Sequence, residues 1–166
     1  TGTLTVGKPT LADCQTPGGN GQEVLRLAAS AETLSEHPLA QAVVRAAEDR
    51  GLKLSTPSHF EARPGRGIIA DVEGHRVLVG TPRFLTEEDV DTSPLQPLLA
   101  RSQAQGQTAV LVALDGKAVG LLALADGGFV AVANRPGGWL LRCDARGRVQ
   151  QQLSIEVERP RRTFNG

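Results

Sequence analysis

The feature that most limits the possible folds is a hairpin signal at Asp115-Gly116. Two apolar runs, Thr108–Leu114 and Ala118–Ala125, flank this dipeptide. Asp-Gly is favoured in two-residue turns because both positions need a positive φ, and such turns join neighbouring antiparallel strands. The pair therefore predicts an antiparallel sheet.

Two helices are predicted well ahead of this hairpin. Apolar residues recur at helical spacing in residues 22–34 and again in residues 38–50. Pro38 suits the first turn of the second helix, and Gly51 suits the position just after its end. Residues 1–21 are rich in proline and glycine and are predicted to be mainly turns.

Further strands are predicted on both sides of Glu73-Gly74, which has the composition of a turn. Residues 68–72 alternate before the turn, and residues 77–79 resume a strand after it. A third helix is predicted over residues 94–105. Helices combined with antiparallel strands indicate an α+β, or mixed α/β, sandwich.

Charge divides the chain into two unlike parts. Residues 1–125 carry 11 basic and 14 acidic groups, whereas residues 126–166 carry 7 and 4, so a net charge of zero conceals −3 and +3. The overall balance argues against a nucleic-acid partner. Three short strands are predicted in the tail, over residues 129–133, 139–143 and 149–157, and form a β-meander about the size of one propeller blade.

Cysteine spacing and hydropathy exclude several classes of protein. Cys14 and Cys143 are far apart, so neither a zinc site nor a disulfide framework is indicated. Apolar runs such as Val119–Ala125 are too short to cross a bilayer, so no direct membrane insertion is expected. The chain contains no methionine and begins at Thr1, which predicts a fragment or processed piece of a longer protein.

The first candidate site is Ser35-Glu36-His37-Pro38. Pro38 stiffens the backbone after the imidazole, so His37 is held at a helix entrance where its ring can stack on a planar ligand. Glu32, five residues earlier, could accept a hydrogen bond from an exocyclic amine. In the alternative interpretation, Ser35 caps the second helix and His37 is an ordinary exposed residue.

The second candidate site is Pro64-Gly65-Arg66-Gly67, just before a predicted strand. Its two glycines would let a ligand approach the backbone closely. The alternative is a loop or bulge that merely starts the strand. Neither this segment nor Gly7-Lys8-Pro9-Thr10 has the spacing of a Walker A loop.

Taken together and in order, these segments resemble the heavy-metal branch of the P-type ATPases. The resemblance covers residues 1–126. Thr1-Gly2-Thr3-Leu4-Thr5 is similar to the stretch that follows the phosphorylated aspartate in the family pattern Asp-Lys-Thr-Gly-Thr, and Ser35-Glu36-His37-Pro38-Leu39-Ala40 is similar to the His-Pro motif. Phe60-Glu61-Ala62-x-Pro64-Gly65-x-Gly67 resembles the glycine motif, and Val79-Gly80-Thr81 resembles the Gly-Asn step. Thr81 departs from the family pattern, which has asparagine at this position.

The resemblance implies a nucleotide-binding domain over residues 10–116, with a six-stranded antiparallel sheet flanked by helices. Residues 1–9 and 117–126 would be the edges of the phosphorylation domain. ATP would bind through five residues, which are Glu32, His37, Pro38, Gly65 and Gly67.

No catalytic residue and no metal ligand is expected in the chain. Thr1, Gly2 and Thr3 only flank the phosphorylated aspartate of the family pattern, and the Asp and Lys that precede them in that pattern are absent. The chain alone is therefore expected to bind ATP without turnover.

The parent protein implied by the resemblance is an integral membrane pump. It would couple ATP hydrolysis, with Mg, to the export of copper or another soft metal cation, and this chain would belong to its cytoplasmic part. The partners of the chain would then be ATP and the phosphorylation and membrane domains of the same pump.

The tail resembles a different family. Asp126-Gly127-Gly128-Phe129, Arg142-x-Asp144-x-x-Gly147-Arg148-Val149 and Val157-x-Arg159-Pro160 look like part of a gluconolactonase or regucalcin β-propeller, so residues 127–166 are expected to be a separate β-rich segment. Two other functions therefore stay open: a fragment of a sugar-lactone hydrolase, and a non-catalytic interaction module.

Overall fold

The computed structural model describes residues 9–18 and 20–125, and the backbone of three further strands between residues 130 and 154. Contacts between Cα atoms divide the chain into two compact units. The first unit consists of Lys8–Asp126, and the second combines Thr1–Gly7 with Gly127–Gly166.

Six strands of the Lys8–Asp126 unit form one antiparallel sheet, which confirms the predicted architecture. Their order across the sheet is β1-β6-β5-β4-β3-β2. The strands are β1 (Thr10–Gln15), β2 (His59–Arg63), β3 (Gly67–Val72), β4 (His75–Gly80), β5 (Thr108–Leu114) and β6 (Lys117–Ala125).

Two-residue turns connect β3 to β4 and β5 to β6. Glu73 and Gly74 have φ values of 52° and 82°, and Asp115 and Gly116 have 48° and 80°. Two consecutive positive φ angles are the signature of a type I′ turn, whose twist matches that of the flanking strands. Both predicted turns are therefore confirmed. The Asp115 carboxylate also accepts a hydrogen bond of 2.9 Å from the backbone amide of Arg76, which joins the two hairpins.

Four helices and one short 3-10 turn complete this unit. They are α1 (Gly21–Glu32), α2 (Pro38–Asp49), α3 (Pro82–Glu87), the 3-10 turn Ser93–Leu95 and α4 (Gln96–Ala104). The helices predicted at 22–34, 38–50 and 94–105 are confirmed to within two residues at each end.

The end of α2 follows the local chemistry that the sequence indicated. Gly51 has a φ of 69°. Its amide donates to the Glu48 carbonyl at 2.9 Å, and the Leu52 amide donates to the Ala47 carbonyl at 3.0 Å. These two bonds form a Schellman motif, which stops the helix because only glycine adopts a positive φ without cost.

Helices cover both faces of the sheet. One core places α1 and α2 against Val77, Val79 and Leu122, and the other places α3 and α4 against Leu78, Leu111 and Leu121. Successive side chains of a strand point to opposite faces, so neighbours such as Leu121 and Leu122 enter different cores. This arrangement explains why β5 and β6 are apolar at nearly every position instead of alternating.

Three elements, β1, β2 and α3, were not foreseen from local patterns, and no strand was predicted over His59–Arg63. Residues 1–21 were predicted to be mainly turns, but Thr10–Gln15 forms β1, which pairs with β6 and shifts register between Leu11 and Asp13. Helix α3 has six residues, which is too short to show a helical period. Thr1–Thr5 lies outside the described residues.

The second unit contains three described strands, β7 (Val130–Ala133), β8 (Trp139–Cys143) and β9 (Val149–Ser154). They form an antiparallel sheet in the order β7-β8-β9, which is a β-meander. Residue 129 and residues 155–157, which were also predicted to be in strands, lie outside the described residues. The likeness to a propeller blade stays a prediction.

None of the helices in the described residues is both long and apolar enough to cross a membrane.

We expect a chain ended after Asp126 to keep the stability of the six-stranded sheet, because all its strands and covering helices lie between Thr10 and Ala125. Native-state hydrogen exchange at Val79 and Leu122 measures this stability site by site. Protection of both amides should match that in the full chain, and a loss of about 1 kcal/mol or more would show that the tail supports the sheet.

Candidate functional site

A cavity of about 270 Å³ lies at the end of the sheet where β3 begins. Four parts of the chain line it: the α1–α2 connection with the first turn of α2, the β2–β3 hairpin, the end of β4 with Thr81, and the start of β5. Four of the five predicted nucleotide ligands are in the lining, namely Glu32, His37, Gly65 and Gly67. Pro38, the fifth, is the first residue of α2 and is not part of the lining.

Glu32 is the last residue of α1 and has only 8 % of its surface exposed. Burial raises the pKa of its carboxyl to about 7, and the nearby Ser35 side chain lowers that pKa to a smaller extent. Removal from water disfavours the ionised form of a carboxyl group. The cavity therefore contains a carboxyl group that changes its charge close to neutral pH.

His37 is the N-cap of α2, and its ring makes the capping bond. Nδ1 accepts a hydrogen bond of 3.2 Å from the Leu39 amide. Ser35, proposed above as the alternative cap, instead accepts a bond of 3.3 Å from the His37 amide. Because Nδ1 acts as an acceptor, the bonding pattern assigns the ring proton to Nε2. The cap holds the imidazole of an otherwise exposed residue in one orientation beside the cavity.

Gly65 is a turn residue with open space around it. Its φ is 71°, and a Cβ built on it would meet no atom within 4 Å. The turn is closed by a hydrogen bond of 2.9 Å from the Arg66 amide to the Arg63 carbonyl. Gly65 therefore meets the demands of a turn while it leaves the backbone open to a ligand.

Glycine is required at position 67 because neighbouring atoms leave no room for a side chain, whereas the space around Gly65 is open. It pairs with Gly80 of β4. A Cβ on Gly67 would lie 2.3 Å from the Val79 carbonyl oxygen and 2.7 Å from Cδ1 of Phe84. The Phe84 ring covers this glycine pair, so Gly67 has a structural role that the motif did not reveal.

Thr81 also lines the cavity, although it was not among the five nucleotide ligands predicted from the sequence. Its amide donates to the Arg66 carbonyl at 2.9 Å, and its Oγ1 accepts from the Phe84 amide at 3.2 Å as the N-cap of α3. The departure of Thr81 from the Gly-Asn step already distinguished this position in the sequence. Arg63 and Arg66 also line the cavity and supply its positive charge.

Cys14, on β1, is a free cysteine. Burial raises the pKa of the Cys14 thiol to about 11, and Sγ donates to the Gly21 carbonyl at 3.3 Å, so the thiol stays protonated at neutral pH. Within the part of the chain that the structure describes, no three His, Cys, Asp or Glu side chains are grouped as metal ligands.

Comparison with known proteins identifies the family. The model of the haloacid dehalogenase-like hydrolases matches residues 1–131. The chain belongs to this family. The copper-exporting P-type ATPase of Bacillus subtilis is 43 % identical over 128 residues, which are 76 % of this chain and 16 % of that protein. The chain thus spans about a sixth of the length of this relative.

Solved structures agree with this assignment. The N-domain of HMA6, a copper-transporting P-type ATPase, is 28 % identical with a TM-score of 0.61, and the match covers 71 % of this chain and 99 % of the N-domain. A zinc-transporting PIB-type ATPase is 34 % identical with a TM-score of 0.64, over 72 % of this chain and 19 % of the pump. The resemblance of this haloacid dehalogenase-like chain to the heavy-metal P-type ATPases is confirmed, and the sugar-lactone hydrolase is not favoured.

We expect the Glu32→Gln variant to be less sensitive to pH than the wild-type chain. The carboxyl titrates near pH 7 when folded and near 4.5 when unfolded, so between these values the folded state holds the extra proton. Its contribution to stability therefore falls as pH rises through this window, by up to about 3 kcal/mol. Urea unfolding at pH 5 and pH 8 measures the difference.

The glutamine variant should gain stability relative to wild type as pH rises, and Glu36→Gln, an exposed neighbour, is the matched control. Equal pH dependence in the wild-type and Glu32→Gln chains would show that Glu32 is ionised in the fold throughout this range.

Gly67→Ala should destabilise the fold by about 1–3 kcal/mol, because its methyl group overlaps Phe84 and the β4 backbone. Gly18→Ala is the control, since a Cβ there meets no atom within 4 Å. Thermal unfolding of both variants measures the effect. Equal melting temperatures would contradict the close approach of β3 and β4.

Proposed function

We propose that the Lys8–Asp126 unit binds ATP as the nucleotide-binding domain of a P-type ATPase that exports copper or another soft metal cation. The observation that carries this proposal is the cavity at the start of β3, where a carboxyl and an imidazole from the α1–α2 connection and a glycine turn from the β2–β3 hairpin line one space. The match to almost the whole of the HMA6 N-domain supports it.

In this proposal, the adenine lies between the α1–α2 connection and β3. The face of the His37 ring stacks on the base, and Glu32 accepts a hydrogen bond from the exocyclic amine. Ile68 and Val79, which are 6 % and 1 % exposed, supply apolar surface in the same lining. A flat, mainly apolar slot with a few placed polar groups is typical of sites for planar ligands.

The phosphates then leave the cavity past the open turn at Gly65. The domain would hold ATP by its base, so the γ-phosphoryl group stays free to reach a nucleophile on another domain. That domain would be the phosphorylation domain of the pump, where Mg also acts and where Thr1, Gly2 and Thr3 flank the phosphorylated aspartate. The chain itself would supply positioning rather than phosphoryl transfer.

The domain boundaries are proposed on the same basis. Residues 1–9 lead in from the phosphorylation domain, and residues 117–126 lead back to it. Most of this second connection is strand β6, which pairs with both β1 and β5. We therefore assign β6 to the sheet of the nucleotide-binding domain as well. Residues 127–166 form a separate β-rich segment.

For the transported ion we propose only a class, copper or another soft metal cation. The relatives reported above move copper or zinc. A domain that binds ATP has no contact with the translocation path, so the ion is selected by the membrane domain of the pump. The proposed location of this chain is the cytoplasmic side of that membrane.

Titration of the labelled chain with ATP tests the proposal. We expect binding with an affinity of about 0.1–1 mM, because the contacts are few and face solvent. Amide signals of Glu32, His37, Gly65 and Gly67 should shift. A non-catalytic interaction module would show no shift at these residues, and that result would overturn the ATP site.

A His37 variant that keeps the helix cap separates stacking from capping. We expect His37→Asn to weaken ATP binding about 5- to 30-fold, the loss of about 1–2 kcal/mol of stacking, while asparagine still caps α2. His59→Ala is the control, since His59 lies exposed on β2 and outside the cavity lining. Unchanged affinity in His37→Asn would show that the ring does not contact the base.

A further inference from the structure

We propose that Arg66 binds the phosphates of the nucleotide and that Glu87 holds its guanidinium ready when no nucleotide is bound. This inference rests on the proposed ATP site and adds to it Arg66, which stands between the two glycines of the motif and is not itself part of the motif pattern.

The backbone of Arg66 is fixed at both ends. Its amide donates to the Arg63 carbonyl at 2.9 Å, and its carbonyl accepts from the Thr81 amide at 2.9 Å. The first bond closes the β2–β3 turn, and the second ties that turn to the residue that follows β4. The side chain therefore projects from a rigid base, although it is itself 58 % exposed.

Charge in the cavity lining is divided between walls. The carboxyl of Glu32 comes from the end of α1, whereas Arg63 and Arg66 come from the β2–β3 hairpin. The charge of a nucleotide is also confined to one end, since the base is neutral and the phosphates are anionic. The hairpin wall is therefore the part of the lining that suits the phosphates.

The side-chain partners distinguish Arg66 from Arg63. Nη1 of Arg66 lies 2.7 Å from Oε2 of Glu87, and Nε of Arg83 lies 2.9 Å from Oε1 of the same carboxylate. When Arg66 turns to a phosphate, Glu87 therefore keeps a cation. Arg63 pairs with Glu61 at 2.8 Å, and the described residues give Glu61 no second cation.

Exchange of partners is favourable at such a site. An exposed carboxylate–guanidinium pair is weak, because water screens both charges. A polyphosphate carries more charge than one carboxylate and can accept two parallel bonds from a guanidinium. The bond to Glu87 uses one terminal nitrogen, so it orients the group without closing off the cavity.

Calorimetric titration of the full chain with ATP and with adenosine tests this inference. We expect Arg66→Ala to weaken ATP binding about 3- to 10-fold and to change adenosine affinity less than about 2-fold, since only phosphate contacts are lost. Arg83→Ala is the matched control, because it removes the same charge and another partner of Glu87 but lies outside the cavity lining. Glu87→Gln should bind ATP at least as tightly as wild type, because its amide oxygen can still accept a hydrogen bond from Arg66 and hold the guanidinium, while the competing negative charge is removed.

Three outcomes would overturn the role of Arg66. If Arg66→Ala and Arg83→Ala weaken ATP binding equally, the effect comes from net charge and not from a contact of Arg66. If Arg66→Ala weakens ATP and adenosine binding equally, Arg66 only supports the shape of the cavity. Unchanged ATP affinity in Arg66→Ala would exclude the contact while the proposed ATP site stands. A wild-type chain that binds neither ligand would instead overturn the proposed function itself.

Discussion

At Gly67 and Gly80, strands β3 and β4 approach each other so closely that neither residue can carry a side chain. Phe84 fills the space over the pair and is 2 % exposed. Its helix, α3, begins at the Thr81 cap, and Thr81 in turn holds the Arg66 carbonyl. The hairpin wall of the cavity is therefore set by one packing contact in the core beneath it.

The opposite wall depends on α1 and α2, which pack on the other face of the sheet. Glu32 is buried because it ends a helix that is apolar on the side facing the sheet. A buried carboxyl without a cation beside it costs free energy, which the pKa of about 7 reflects. Glu32 also lines the cavity, so the group with this raised pKa faces the proposed ligand site.

His37, rather than Ser35, caps α2, and its contact with a ligand stays a proposal. The sequence offered either a ligand-binding imidazole or an ordinary residue beside a serine cap. In the structure, the imidazole itself caps α2, and this bond fixes the ring next to the cavity. The capping bond and the proposed ligand contact therefore involve the same side chain, so only a variant that keeps the cap can separate them.

Local chemistry determined much of the fold from the sequence alone. Paired turn residues at Glu73-Gly74 and Asp115-Gly116, and Gly51 at the end of α2, act within a few residues, so their effects can be recognised without the rest of the chain. The motif resemblance also indicated Glu32, His37, Gly65 and Gly67.

Only the tertiary structure decided that β1 forms at all, since it depends on pairing with β6 from the far end of the domain. It also decided that Gly67 faces Gly80 and Phe84, and that Arg66 shares Glu87 with Arg83. These are contacts between segments distant in sequence, and no local pattern encodes them because their energy arises only when the sheet brings the segments together.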